Sequence, residues 1–341
     1  MKIVNKKIQD IIKNEKLNSK FSFIKHNSLE IECNIFTENF FLDSYNFFPI
    51  TEEHTTFLDV FTWGEPYEYE HFYSKFFLDN FIKNKDSFKS FSNVFVLGSS
   101  LSDNYYRNMI TFLPRIFFIN KKNIKLAIHR NSSNKFRNFL EILFKQMQIK
   151  VQFIYLDNGF YKFINSHIPE FLDHSKSIKI LNSLRIIQNK KKEKIYLTRQ
   201  NSAFRNLVNE EDVVDILKKK NFRIIDLNNL SIVEQIELFS NSEIIVSVSG
   251  SSLTNIAFCS PGTKVIEIIP KYNFDYEKNL KTRFSNICKL LNLNYSSIEA
   301  DPINLESSNS KSQIFINKKT LKESNYYKNL LLKLDKINNL F

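Results

Sequence analysis

The sequence predicts an α/β protein built on mostly parallel, doubly wound sheets, and three observations carry that expectation. Across residues 196–270 short apolar strands alternate with segments of helical period. A small-residue turn, Ser249, Gly250, Ser251 and Ser252, joins a buried strand to the segment after it. The N-terminal half adds three apolar strands, at 93–98, 124–129 and 151–156, with an amphipathic helix at 136–144. Such alternation covers a sheet with helices on both faces and places ligands outside the carboxyl ends of its strands. Two Rossmann-like domains are expected, one over residues 1–175 and one over 176–305. A loop and a helix are expected at 306–341.

The C-terminal domain is legible element by element. A strand at 195–198 runs into Arg199, and Arg205 follows six residues on. Asn209, Glu210 and Glu211 open a helix whose apolar positions Val213, Val214, Ile216 and Leu217 keep a 3.6-residue period. After a strand at 222–227, Ser231 and Glu234 have the spacing of a capping box, in which each side chain satisfies an orphan donor of the other residue. That helix carries Gln235, Ile236 and Phe239. A strand at 244–246 leads into the turn, which ends in Leu253, Thr254 and Asn255. A final strand, 264–269, contains Glu267.

Small side chains at Ser249–Ser252 let backbone amides approach a ligand, and the start of a following helix favours an anion. A phosphate site is the functional expectation. A turn that is merely short and polar is the competing one.

Taken in order, Arg199, Arg205, Asn209, Glu210, Gln235, Phe239, Gly250, Leu253, Thr254, Asn255, Phe258, Pro261, Gly262 and Glu267 resemble glycosyltransferase family 61, once called the domain of unknown function 563. The resemblance is to its bacterial capsular and surface-polysaccharide type, and covers the C-terminal half well and the N-terminal half faintly. It implies a GT-B type enzyme of two Rossmann-like domains facing a cleft, with no metal or other cofactor. It further implies a nucleotide-sugar donor, a surface-polysaccharide or lipid-linked glycan acceptor and an inverting displacement.

The leaving nucleotide gains negative charge in the transition state, which amides and arginines can stabilise. Gly250, Ser251, Ser252 and Thr254 are candidates for amides and hydroxyls, Arg199 and Arg205 for cations, and Glu267 for a ribose hydroxyl. Ser249, Gln235 and Asn255 complete the expected donor site. Asn209 and Glu210 either join it or only start their helix. An inverting reaction also needs a general base from the N-terminal domain. Asp103 is best placed, ahead of Asp59, Glu65 and His129.

Departures from the family pattern fall on both landmarks. Before Leu113, Pro114 and Arg115, the usual His-Trp is Arg107-Asn108, and Thr111 stands near the place of an expected carboxylate. Ser249 replaces the histidine before the turn glycine, and Ser251-Ser252 an Ala-Gly pair. Two readings are open. Either a divergent transferase uses a more anionic donor, with Arg107 as counter-charge, or the chain binds a nucleotide sugar or glycan without turnover, as a subunit of a polysaccharide assembly.

Composition sets the outer bounds. The chain has 341 residues, 43% hydrophobic, with 34 Phe and 14 Tyr, enough to bury the core of two domains. Lys and Arg number 48 against 36 acidic residues, a net charge of +12 that suits an anionic partner. Nucleic acid is not expected, because no zinc, helix-turn-helix or aromatic RNA-binding signature accompanies the charge. Three scattered cysteines, Cys33, Cys259 and Cys288, suggest neither a disulfide framework nor a zinc site. With no leader and no apolar run of membrane length, the expected location is cytoplasmic, with peripheral contact at the inner membrane as an extension. The aromatic cluster at 57–81 is expected as core, the lysine run at 190–194 as a solvated face, and 166–194 as the interdomain connection. The polar stretch 305–313 is expected as a surface loop, and 321–340 has helical spacing.

Overall fold

The computed structural model of the chain describes residues 13–14, 21–25, 29–44, 47–53, 55–56, 81–98, 102–188, 192–200, 202, 205–271, 278–303 and 329–340. The aromatic cluster up to residue 80, with Asp59 and Glu65, lies outside them, as do Lys190, Lys191 and the loop at 305–313. The chain forms two compact units, Met1–Ile180 and Leu181–Phe341.

Among the described residues the first unit holds a mixed eight-stranded sheet. Its main path runs Phe21–Lys25, Glu32–Asp43, Phe160–Pro169, Val94–Val96, Asn123–His129 and Lys150–Leu156. Phe160–Pro169 is the seam, antiparallel to Glu32–Asp43 and parallel to Val94–Val96. A bulge between Phe163 and Ser166 re-aims it. Asn165 and Asn93 absorb the change at φ 44° and 55°, a region asparagine tolerates, and Asn165 Nδ2 donates to Asn93 Oδ1 at 2.8 Å. Phe40 stacks on Phe163 at 5.4 Å between ring centroids, within a core rich in phenylalanine. The helix expected at 136–144 runs from Asn134 to Gln146, and Ser133 Oγ caps it by accepting from Phe136 N at 3.2 Å.

One expectation changes here. The stretch assigned to interdomain connection begins inside a central strand, and only the helix His174–Ser183 and the residues after it link the units.

Two polar residues are locked in this unit. Arg115 is fully buried, donating from Nε to Thr111 O at 2.7 Å, from Nη1 to Pro169 O at 3.0 Å and from Nη2 to Gly98 O, with its guanidinium 4.4 Å from the Phe171 ring centre. Burial lowers its pKa to about 9. His167 sits between Thr37 Oγ1 and Lys121 Nζ, each at 2.8 Å. The lysine donates to Nε2, so Nδ1 carries the ring proton and donates to Thr37. Burial, then the lysine charge, lower the His167 pKa to about 4.

Among the described residues the second unit holds a seven-stranded sheet whose centre is parallel. In space its five main strands run Arg223–Ile225, Glu193–Leu197, Ser242–Val248, Lys264–Pro270 and Asn294–Ile303, the second, first, third, fourth and fifth in the chain. Strand order therefore reverses between Glu193–Leu197 and Ser242–Val248, and ligands bind outside the carboxyl ends at such a point. The helix Ile232–Ser240 begins with the expected capping box: Ser231 N donates to Glu234 Oε2 at 2.7 Å and Glu234 N to Ser231 Oγ at 3.3 Å.

The C-terminal segment differs from its helical expectation. Asn329–Leu331 is a strand antiparallel to Asn294–Ile303, and among the described residues of this segment Leu334–Asn338 is the helical part. Leu330, Leu332 and Ile337 are buried with Tyr196, Val213 and Val246 in the second unit's own core. Among the described residues no helix is long and apolar enough to cross a membrane.

Candidate functional site

At the strand-order reversal, Arg199 and Gly250 meet. Gly250 has a φ of 175°, ordinary extended backbone, and a Cβ there would overlap Arg199 Nη1 and lie 2.9 Å from Cζ, so the guanidinium at the far end of that flexible side chain would have to shift. Behind this contact Glu210, buried in the first turn of the helix Glu210–Lys219, accepts at Oε1 from the Tyr196 hydroxyl at 2.7 Å and from Arg199 N at 3.0 Å. Burial, then Arg205, lower the Arg199 pKa to about 10, opposed by Tyr196 and Glu210. The guanidinium is still charged at neutral pH, in a partly dry setting.

The turn leads into Ser251–Phe258, a tighter 3₁₀ helix, where a plain helix was expected. Leu253 N donates to Gly250 O at 3.0 Å, leaving the first amides outside the helical bonding pattern. Ser251 and Ser252 are half-buried. Ser252 Oγ and Thr254 Oγ1 are buried without a hydrogen-bond partner among the described residues. Gln235 and Asn255 hold this turn: Asn255 Nδ2 donates to Gln235 Oε1 at 3.0 Å and to Ser252 O at 3.2 Å, while Gln235 Nε2 reaches Leu227 O and Leu230 O, each at 3.1 Å. Both are buried, so they brace the site from behind. Asn209 is also spent on support. Its amide pairs with the Leu332 backbone, donating at 2.9 Å and accepting at 3.3 Å, and does not cap the helix it precedes.

Glu267 is not at the surface of its strand end. It is 0% exposed and accepts from the Tyr295 hydroxyl at 2.8 Å. Burial raises its pKa, opposed by Ser249, Tyr295, Arg205 and Arg283 in that order. Ser249 is close enough to favour the carboxylate yet makes no well-formed bond to Oε1, which is buried without a hydrogen-bond partner among the described residues. Arg205 is half-buried at φ 59°, a region arginine rarely adopts, and its Nε is buried with no partner among the described residues.

The structure therefore gathers Arg199, Glu210 and Gly250, and sets Ser249 and Arg205 around Glu267. Tyr196 and Tyr295 went unnoticed in the sequence. A tyrosine inside an aliphatic strand needs a buried acceptor for its hydroxyl, and that was the available signal.

The two N-terminal candidates lie in the first unit. Asp103 is exposed, just ahead of Asn104, whose Oδ1 accepts from Arg107 N at 3.2 Å. Arg107 is buried, and the chain after it widens into a π-helical turn, Asn108–Phe112. Tyr106 hydroxyl and His174 Nε2 lie 2.5 Å apart, a pairing the sequence did not suggest. His129 is structural: Asn131 N donates to Nδ1 at 3.0 Å, leaving Nε2 to donate to Asn158 Oδ1 at 2.8 Å. Among the described residues no group of three or more His, Cys, Asp or Glu side chains is placed to hold a metal ion.

Comparison with known families gives a match to the model described as Glycosyltransferase 61 over residues 50–266, more than half of the chain. No curated protein matches the chain.

Proposed function

Because the chain belongs to glycosyltransferase family 61, a sugar donor and a glycan acceptor are its substrates in general terms, and we propose that its second unit holds the donor as a nucleotide sugar. The observation that carries this reading is the Arg199 guanidinium lodged across Gly250, at the point where strand order reverses. In the proposal the diphosphate lies against the amides and hydroxyls of Ser251 and Ser252, with Arg199 and Arg205 as counter-charges. As the anomeric carbon–oxygen bond breaks, its electron pair leaves on the nucleotide, and these fixed donors stabilise it without further reorganisation. The arginines and amides supply that stabilisation themselves, so the proposed mechanism is metal-independent; it inverts because the acceptor oxygen bonds to the anomeric carbon from the face opposite the leaving nucleotide, its proton passing to a general base. Glu267 is too deeply buried to meet a ribose; it acts as the buried counter-charge beside Arg205.

Asp103, exposed at the head of the landmark segment, is the proposed general base, and Arg107 helps hold that segment. The division of labour is that of a GT-B type enzyme, with acceptor chemistry in the first unit. A surface polysaccharide or lipid-linked glycan, met at the cytoplasmic face of a membrane, fits the net charge of +12.

One observation favours a second reading. Ser249, standing where relatives carry a histidine, is 4% exposed and turned toward Glu267, so this position offers no acid or base to a ligand. A subunit that binds a nucleotide sugar without turnover follows from it. Thermal shift against nucleoside diphosphates and their sugar conjugates, with and without EDTA, tests both. Stabilisation together with release of free nucleotide in the presence of acceptor supports the transferase. Stabilisation without release favours the binding subunit. A melting temperature that no nucleotide moves overturns both.

A further inference from the structure

We propose that Glu210 and Tyr196 are positioning residues for the donor site, fixing the main chain of Arg199 so that its guanidinium lies across Gly250. The inference rests on the donor reading above and adds how the cation is held.

The argument begins where the strand runs out. Thr198 N still donates to a neighbouring strand, to Ile225 O at 3.0 Å. Arg199 N is the next amide, and the Glu210 carboxylate takes it at 3.0 Å. Glu210 is anchored in turn from inside the core, by the hydroxyl of the fully buried Tyr196 at 2.7 Å. Its place in the first turn of a helix also suits a negative charge. The start of that helix is pinned from outside, because Asn209 is bonded in both directions to the Leu332 backbone. Gly250 then supplies the slot, since a Cβ there would overlap the guanidinium where it now lies. A long, flexible side chain thus has its root fixed by one contact and its tip confined by another, and such preorganisation reduces the ordering lost when a ligand binds.

The test compares affinity for uridine and guanosine diphosphates with that for the corresponding monophosphates, in the full chain. Tyr196→Phe weakens diphosphate binding about 3- to 10-fold and Glu210→Ala about 10- to 100-fold, in line with losing one or more charge-assisted hydrogen bonds. Monophosphate binding changes less, so the ratio between the two collapses. Glu210→Gln, which keeps an acceptor oxygen, returns the ratio to within about threefold of the original. A merely structural role would move both affinities together.

Phenylglyoxal modification of Arg199, followed by mass spectrometry, gives a readout that needs no nucleotide. The rate rises in Tyr196→Phe and Glu210→Ala. An unchanged ratio, or an unchanged rate, in variants with native near-ultraviolet circular dichroism overturns the inference. If the parent chain binds no diphosphate, the donor reading fails by itself, and the modification rates still decide this one. Tyr196→Phe keeps the test open should Glu210→Ala fail to fold.

Discussion

Arg199 and Gly250 occupy one another's space: the guanidinium fills the volume in which any side chain at 250 would begin. Gly250→Ala therefore pushes the guanidinium aside and, because that group is the far end of a flexible side chain, costs about 1 kcal/mol in urea unfolding, the low end of the overpacking scale. In an Arg199→Ala background the same substitution costs much less, because the colliding group is gone. Equal costs in the two backgrounds would show that the contact does not set the identity of residue 250.

Glu267→Gln leaves an acceptor for Tyr295 and removes a buried charge. A carboxyl whose pKa is raised on folding contributes stability at low pH that is lost as pH rises above the unfolded value. The variant should thus melt at or above the parent temperature at pH 7 and show no advantage below about pH 4, where an unfolded carboxyl of pKa near 4.3 is largely protonated. Melting curves across that range check it.

His167 titrates in the opposite sense. Its folded pKa of about 4, against about 6.5 unfolded, means the unfolded chain binds the extra proton first as pH falls. Stability of the first unit is full above about pH 6.5 and declines toward pH 4. Since the ring is half-exposed, the loss is on the order of 1–2 kcal/mol after allowance for solvent screening. Replacing His167 with Gln flattens that slope; an unchanged slope would assign the acid sensitivity elsewhere.

Arg115→Lys should fail to replace arginine. Three backbone carbonyls meet a planar fork that an ammonium cannot match, so the variant loses on the order of 3–5 kcal/mol, the scale for disrupting a buried, fully bonded charge. Urea midpoints for Arg115→Lys and Arg115→Met measure it. A loss under about 1 kcal/mol in both would remove Arg115 as a latch.

The second unit was legible because its signals are local. The strand at 242–248 is aliphatic, Ser231 and Glu234 stand at capping-box spacing, and the small-residue turn follows a strand. The missed elements depend on partners. Phe160–Pro169 breaks its period with a bulge, and Asn329–Leu331 is a strand because Asn294–Ile303 and Asn206–Leu207 pair with it. At the site, Arg199, Glu210 and Gly250 could each be named from the sequence. Their joint arrangement could not, since it arises where three separate elements converge. Glu267 misled for the same reason: a carboxylate at a strand end is ordinarily solvated, and only the packing around it shows burial.

The pairing of Asn209 with Leu332 joins residues 123 positions apart. On a ribosome, which delivers the chain from its N-terminus, the helix start beside Arg199 is made long before the strand that pins it. The second unit therefore cannot close until residues 329–332 have emerged, whereas the sheet of the first unit is complete once Pro169 is free. Contacts of such long range fold slowly. A nascent chain halted before residue 329 should present a finished first unit and an open edge on the second, the state most in need of chaperone cover.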